Sequence, residues 1–243
     1  MTPPYDILRL DVVDSTNTRL KELAKAGAKA GTVLVANRQT AGRGRLGRTF
    51  VSPASGLYCS ILLRPAFVVS PAALTCLAAA ALWETAEAFG VPASIKWVND
   101  LYRNGKKAAG ILTEGAAQSD GRFTYAIVGV GVNLFAPKAG FPTELQDSVT
   151  SLFAGDVDEN LREAFLSAFL AHFFAHYDAL PHIDFFETYR KNLNVYGRRV
   201  AFSDAGHDAM GVACNLDDSF RLVVRLADGT TRSLSRGEVT FCD

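Results

Sequence analysis

Ser94-Ile95-Lys96-Trp97-Val98-Asn99-Asp100-Leu101-Tyr102-Arg103-Asn104-Gly105-Lys106-Lys107-Ala108-Ala109-Gly110-Ile111-Leu112-Thr113-Glu114 carries the strongest fold signal in the chain. Asn104-Gly105 supplies the two positive-φ positions that a two-residue hairpin needs, and Asp120-Gly121 repeats the signal before Phe123 to Asn133. Three antiparallel strands in a meander follow. With Asn104-Gly105 as the turn, Tyr102 faces Lys107 and Asp100 faces Ala109, which gathers Lys96, Asp100, Tyr102 and Lys107 on one side. Asn99 then falls opposite Gly110, and Gly110 opposite Gly131. Glycine in a strand interior suits close approach of another group to the backbone. Strict alternation puts these glycines on the face away from the lysines, so either a bulge intervenes or they serve through main-chain contact. Lys107 also reads as a solvated lysine beside Arg103 and Lys106, and Asp100 as an ion-pair partner.

Upstream, Gln39-Thr40-Ala41-Gly42-Arg43-Gly44-Arg45-Leu46-Gly47-Arg48 holds three glycines and three arginines between Gly42 and Arg48, with no acidic residue from Thr32 to Ala66. Glycine exposes backbone N–H groups and each arginine offers a fork of donors, a composition suited to a ligand with more than one negative group. An exposed basic turn is the plainer reading. The loop lies between apolar strand-like runs, Thr32 to Ala36 and Gly56 to Leu63. It fits G-x-G-x-x-G formally, but Thr49-Phe50-Val51-Ser52-Pro53 follows in place of a helix, so a dinucleotide fingerprint fails on context. Gly105-Lys106 is followed by Lys107, with no Ser or Thr, so a P-loop fails too.

Asp14-Ser15-Thr16-Asn17 caps a helix that Leu20, Leu23 and Ala24 continue to Gly27; the same hydroxyls and amide also make a polar pocket wall. Helices are expected from about Pro71 to Phe89, Val157 to Ala179 and Phe185 to Leu193. His172 and His176 stand one turn apart without a third ligand or an H-E-x-x-H glutamate, which argues against a metal centre. Past Gly197 short strands are expected at 198–202, 211–216, 220–226 and 231–241, forming a small antiparallel barrel with a boundary near Asn194 to Gly197. The expected domains are therefore 1–195 and 196–243.

The 243 residues balance 25 Lys and Arg against 25 Asp and Glu, so no global field favours nucleic acid or membrane. Four scattered cysteines form no C-x-x-C and argue for a reducing compartment. The N-terminus is not signal-like, and the longest apolar run, Ala72 to Trp83, is too short to span a bilayer. A soluble, cytoplasmic protein is expected.

Taken together, Asp14-Ser15-Thr16-Asn17, Gln39 with Gly42 to Arg48, Lys96 to Asp100, Lys107 to Leu112 and Gly129-Val130-Gly131-Val132-Asn133 resemble the biotin protein ligases, also called biotin–acetyl-CoA-carboxylase ligases. The resemblance implies an α+β catalytic domain of the class II aminoacyl-tRNA-synthetase-like kind, with a mixed, largely antiparallel sheet flanked by helices, and a C-terminal SH3-like barrel. It implies activation of biotin by MgATP to biotinyl-5'-AMP and transfer to a lysine of the biotin carboxyl carrier domain of acetyl-CoA carboxylase or a similar carboxylase. By position, Ser15, Thr16, Asn17 and Gln39 would bind biotin's polar head. Gly42, Arg43, Gly44 and Arg45 would serve its carboxylate and the phosphate, with Arg48 and Lys96 towards ATP. Lys107, with Arg45, would be catalytic; Asn99 and Asp100 would serve ATP and Mg2+, and Asn133 the adenine. Gly110 and Gly131 would leave room for the biotin rings.

Two departures stand out: Val98 replaces the family's common proline, and Phe50 stands where tryptophan is frequent. With only about six residues before the first strand, a monofunctional ligase without a DNA-reading unit is expected. Monomer and homodimer both stay open. The rivals are a lipoate or octanoate ligase, which lacks the Gly/Arg loop in this form; a non-catalytic biotin sensor, against which Lys107, Arg45 and Asp100 speak; and nucleic-acid binding through the loop, which zero net charge disfavours.

Overall fold

The computed structural model describes residues 5–204, 207–235, 237 and 239–242. The elements are β1 (Asp6–Val13), α1 (Thr16–Lys25), β2 (Thr32–Gln39), β3 (Leu57–Leu63), α2 (Pro71–Ala88), β4 (Ser94–Lys96), β5 (Asp100–Arg103), β6 (Lys106–Ala117), β7 (Phe123–Val132), α3 (Glu159–Asp178), α4 (Phe185–Lys191), β8 (Arg199–Asp204), β9 (His207–Leu216), β10 (Leu222–Arg225), β11 (Thr231–Leu234) and β12 (Val239–Phe241).

Seven strands form one sheet in the order β1-β2-β3-β7-β6-β5-β4. Only β1 and β2 run parallel, and α1 is the crossover between them. The remaining pairs are antiparallel, the expected meander included. β3 reads Leu57 to Leu63 with every residue buried, because both faces of the central sheet are covered. On one face α1 packs Leu20 and Ala24 against Leu34, Leu62, Tyr125 and Ile127. On the other lie α2, α3 and α4. The α2 helix is apolar nearly all round, which suits its place between the sheet and the other two helices. Phe165, Phe169 and Phe173 of α3 recur at four-residue spacing and are fully buried.

The hairpin register departs from strict alternation in an informative way. Tyr102 faces Lys107 and Gly110 faces Gly131, as expected. Asp100, however, faces Gly110 and not Ala109, because the ladder shifts between Leu101 and Tyr102 and leaves Ala108 as the extra residue of a bulge. The bulge resets the pleat by one residue. Lys107 and Gly110 therefore share a side: a Cβ built on Gly110 would lie 3.2 Å from Lys107 Nζ.

Past α4, five strands form a second sheet in the order β11-β10-β9-β8-β12. The run 231–241 is two strands and not one. Among the described residues β11 and β12 are edge strands that do not pair with each other, so the sheet is open where a closed barrel was expected.

Candidate active site

The sheet's β4–β5–β6–β7 end, the N-terminus of α1 and the Gly/Arg loop enclose one cavity of about 120 Å³. Sequence predicts most of its wall. Ser15, Thr16, Asn17, Gln39, Arg43, Gly44, Arg45, Arg48, Lys96, Asn99, Asp100, Lys107, Gly110 and Gly131 all line it. Gly42 lies at the base of the loop, its Cβ position 2.3 Å from the Phe50 carbonyl. Asn133 is buried but off the wall, and its amide donates to the Thr150 carbonyl at 3.2 Å.

The loop is a small hairpin. Arg43 bridges Thr49, Gly44 N donates to Arg48 O at 2.7 Å, and Phe50 N donates to Gly42 O at 2.9 Å. Its tip is a short 3-10 turn in which Leu46 and Gly47 take positive φ. The acid-free loop finds its counter-charges elsewhere. Arg43 pairs with Glu114 of β6 at 3.1 Å, and Arg45 donates to Asn99 Oδ1 at 2.8 Å and to Gly237 O at 2.9 Å.

Beneath the loop runs a polar chain. Ser15 is the N-cap of α1. Gln39 Oε1 accepts from Thr16 N at 2.8 Å, and Gln39 Nε2 donates to Ser52 Oγ at 2.9 Å. Ser60 Oγ lies 2.8 Å from Thr16 Oγ1 and 2.7 Å from Asn17 Oδ1. An amide oxygen only accepts, so the Thr16 hydroxyl donates to Gln39 Oε1 at 3.2 Å, and the Ser60 hydroxyl donates towards Asn17 Oδ1 and Thr16 Oγ1. Asn17 Nδ2 in turn donates to Leu112 O and to Glu114 Oε2. Asn17 donates towards the Glu114 end and Gln39 towards Ser52 at the other, so one continuous line of polar contacts joins Glu114 to Ser52. Asn17 comes this close to β7 because position 129 has no side chain: a Cβ there would stand 2.0 Å from Asn17 Oδ1.

At the other end, Lys107 Nζ sits 2.7 Å from Asp100 Oδ1. The contact is one of charge, since that buried oxygen has no aligned hydrogen bond. The Lys107 backbone is pinned by Ser148 O and Thr150 N. Lys96 lies over the Phe241 ring at 5.1 Å, and Trp97 Nε1 donates to Phe220 O at 3.1 Å. The Trp97–Val98 peptide is cis, and Val98 O accepts from Tyr189.

The space expected over Gly110 and Gly131 holds the Phe50 ring. Its Cε1 lies 2.8 Å from the Gly131 Cβ position and its Cε2 3.4 Å from that of Gly110. Sequence reasoning missed Ser60, Glu114, Gly129 and Gly237. Ser60 had a readable signal, since a small hydroxyl in a strand buried on both faces needs a partner. Gly237 acts through its carbonyl, which leaves no trace in a side-chain pattern.

Five cations, Arg43, Arg45, Arg48, Lys96 and Lys107, thus converge on one cavity with a hydroxyl-rich floor at one end and a carboxylate at the other. Such a gathering of fixed cations suits a ligand or ligands with more than one negative group. Residues 10–133 match the Biotin/lipoate A/B protein ligase family. A biotin–[acetyl-CoA-carboxylase] ligase of Mycobacterium tuberculosis is 34% identical over 95% of this chain and 88% of its own. The Bacillus subtilis bifunctional ligase/repressor BirA is 44% identical over 58% of this chain, which spans only 44% of that protein. The biotin protein ligase of Aquifex aeolicus in complex with biotin and ATP superposes with a TM-score of 0.80 at 28% identity, covering 97% of this chain and 98% of that one. The chain belongs to the biotin/lipoate A/B protein ligase family.

Proposed function

We propose that this protein is a biotin–[biotin carboxyl-carrier protein] ligase that makes biotinyl-5'-AMP from biotin and ATP and passes biotin to a lysine of a carboxylase carrier domain. The observation that carries the reading is the convergence of five cations on a cavity whose floor is a hydrogen-bonded hydroxyl and amide chain. In the first step a biotin carboxylate oxygen attacks the α-phosphorus and pyrophosphate leaves. In the second the lysine amine attacks the acyl carbon, loses a proton, and AMP leaves.

Positioning of like-charged groups and stabilisation of the charge that builds between them carry such a reaction. Ser15, Thr16, Asn17 and Gln39 take the polar ureido head. Arg43 and Arg45 face the carboxylate and phosphate, Arg48 and Lys96 the nucleotide, and Lys107 the oxygen shared by carboxylate and α-phosphate. Asn99 and Asp100 serve the Mg2+ that accompanies ATP. Asp100 fits that duty, because Mg2+ is commonly held by one or two carboxylates plus substrate phosphates, and its carboxylate lines the cavity beside Lys107. The cytoplasm is the compartment consistent with these substrates, and no described helix is long and apolar enough to cross a membrane.

We also read 196–243 as a separate unit that curls towards an SH3-like barrel. β11 and β12 stand at opposite edges yet are joined by residues 235–238 alone. That connection reaches about 18 Å at most, and a flat five-stranded sheet is about 19 Å wide.

The test is pyrophosphate release with MgATP and biotin, lipoate or octanoate, in wild type and Lys107→Ala. Release that needs both biotin and Lys107 is expected. Release with lipoate alone would transfer the protein to the lipoate branch, and tight biotin binding without release would make it a sensor.

A further inference from the structure

Glu114 lines no wall of the cavity, yet it touches both of the elements that define it. Its Oε2 accepts from Asn17 Nδ2 at 3.0 Å and from Arg43 Nη1 at 3.2 Å, and its Oε1 lies 3.1 Å from Arg43 Nη2. Asn17 ends the polar chain of the floor, and Arg43 begins the Gly/Arg loop. The other end of the same chain reaches the far side of the loop, because Gln39 holds Ser52 and Ser52 Oγ donates to Phe50 O at 2.8 Å. The loop is therefore hung at both ends from one line of hydrogen bonds that passes under the ligand, and Glu114 is the only charged member of that line.

We infer that Glu114 is a positioning residue that couples the reading of the substrate's polar head to closure of the Gly/Arg loop. The inference rests on the proposed function for what occupies the cavity, but the tie itself does not. The negative charge does two things that a neutral amide cannot do together. It accepts from two guanidinium nitrogens and the Asn17 amide at once, and it keeps the Asn17 amide turned with its Oδ1 towards Ser60. Glutamine at 114 keeps the shape but must turn an N–H donor towards Arg43 or Asn17, both of which are donors.

With Arg43 held, the loop closes over a floor in which the Asn17 amide is already set. With Arg43 released, the loop is free to open, while Asn17 keeps Leu112 O and Ser60. Binding of the head group, which presses on Thr16 and Asn17, is thereby felt at Arg43 without any contact between the two.

The experiment compares wild type, Glu114→Gln, Arg43→Ala and the double variant, with Glu163→Gln as control, because Glu163 makes a similar two-bond pair with Arg9 far from the cavity. Limited trypsin digestion of the ligand-free proteins reads opening of the loop at Arg45 and Arg48. Glu114→Gln is expected to speed cleavage there severalfold, Glu163→Gln not at all, and Glu114→Gln is expected to add little once Arg43 is gone. With MgATP, the KM for biotin should rise about tenfold, the size of one charge-assisted hydrogen bond, while kcat at saturating biotin stays near wild type.

Unchanged loop cleavage in Glu114→Gln, or effects of Glu114→Gln and Arg43→Ala that simply add, would overturn the inference. Parallel falls in kcat, in ATP and biotin efficiency and in thermal midpoint would do the same, by making Glu114 merely structural. If wild type releases no pyrophosphate with biotin, the functional reading fails, and the ligand-free cleavage still decides the role of Glu114.

Discussion

Lys107 Nζ stands 2.7 Å from Asp100 Oδ1, and both face the cavity because a bulge at Ala108 turns Lys107 to the side of Gly110. In the proposed reaction this is the lysine that meets the carboxylate and phosphate oxygens. Lys107→Ala should lower the rate of adenylate formation about a hundred- to a thousandfold, the usual loss for one donor aimed at developing charge. Biotin binding should weaken far less. Single-turnover kinetics beside equilibrium titration checks this, and equal losses in both would reduce Lys107 to a binding residue.

Phe50 lies on the shelf made by Gly110 and Gly131. A cavity of about 120 Å³ is small beside the roughly 300–1,000 Å³ of ordinary ligand sites, so displacement of the ring on ligand entry is expected. Phe50→Ala should raise both the association rate, by removing the obstacle, and the dissociation rate, by removing the cover. Stopped-flow fluorescence with biotin measures both. An unchanged association rate would show that the ring does not gate entry.

Arg45 is held by Asn99 and by the Gly237 carbonyl, which aims its guanidinium into the cavity. Arg45→Gly should let biotinyl-5'-AMP escape faster, seen as a larger dissociation rate and as adenylate free in the medium. Retention of the adenylate with the wild-type rate would remove Arg45 from that role.

The thiols divide cleanly. Cys59 and Cys76 are fully buried, and burial pushes the Cys59 thiol up to about 12 and the Cys76 thiol well above its ordinary value. Cys214 and Cys242 are exposed. A chromogenic disulfide reagent at neutral pH should therefore titrate two thiols quickly in the folded protein and all four after denaturation. Fast loss of more than two would mean that the core opens readily.

Glu84 of α2 meets α3 through His176 at 2.8 Å and His172 at 3.9 Å. Burial pushes its carboxyl up, but the His176 hydrogen bond and the charges of His176 and His172 together outweigh burial and hold it below the usual range. A depressed folded value adds stability that is fully present above the unfolded value of about 4.3. That stability disappears as pH falls through the folded value. The difference in denaturant midpoint between wild type and Glu84→Gln should accordingly be present at mildly acidic pH, above the unfolded carboxyl value, and vanish in strong acid. A difference that persists there would point to packing alone.

Local chemistry made much of this legible. Asn104-Gly105 and Asp120-Gly121 announced the meander, Ser15 announced the start of α1, and the density of arginine and glycine announced the anion loop. What sequence hid was non-local or lay in the backbone. The bulge at Ala108 has no marker residue, so Asp100 was placed one step out of register. Glu114 looked like any acid on a half-exposed strand until the fold brought Asn17 and Arg43 to it. The Phe50 ring occupies space that two glycines had suggested was reserved for substrate.

The terminal sheet reaches residues of the cavity wall through two main-chain oxygens, those of Phe220 and Gly237, and through the Phe241 ring under Lys96. A carbonyl is present whatever side chain its residue carries. Selection on the two carbonyl contacts therefore acts first on the path of the chain, including the positive φ that both residues take. Relatives in which the last fifty or so residues no longer align could share the contact all the same, and superposed backbones would reveal it.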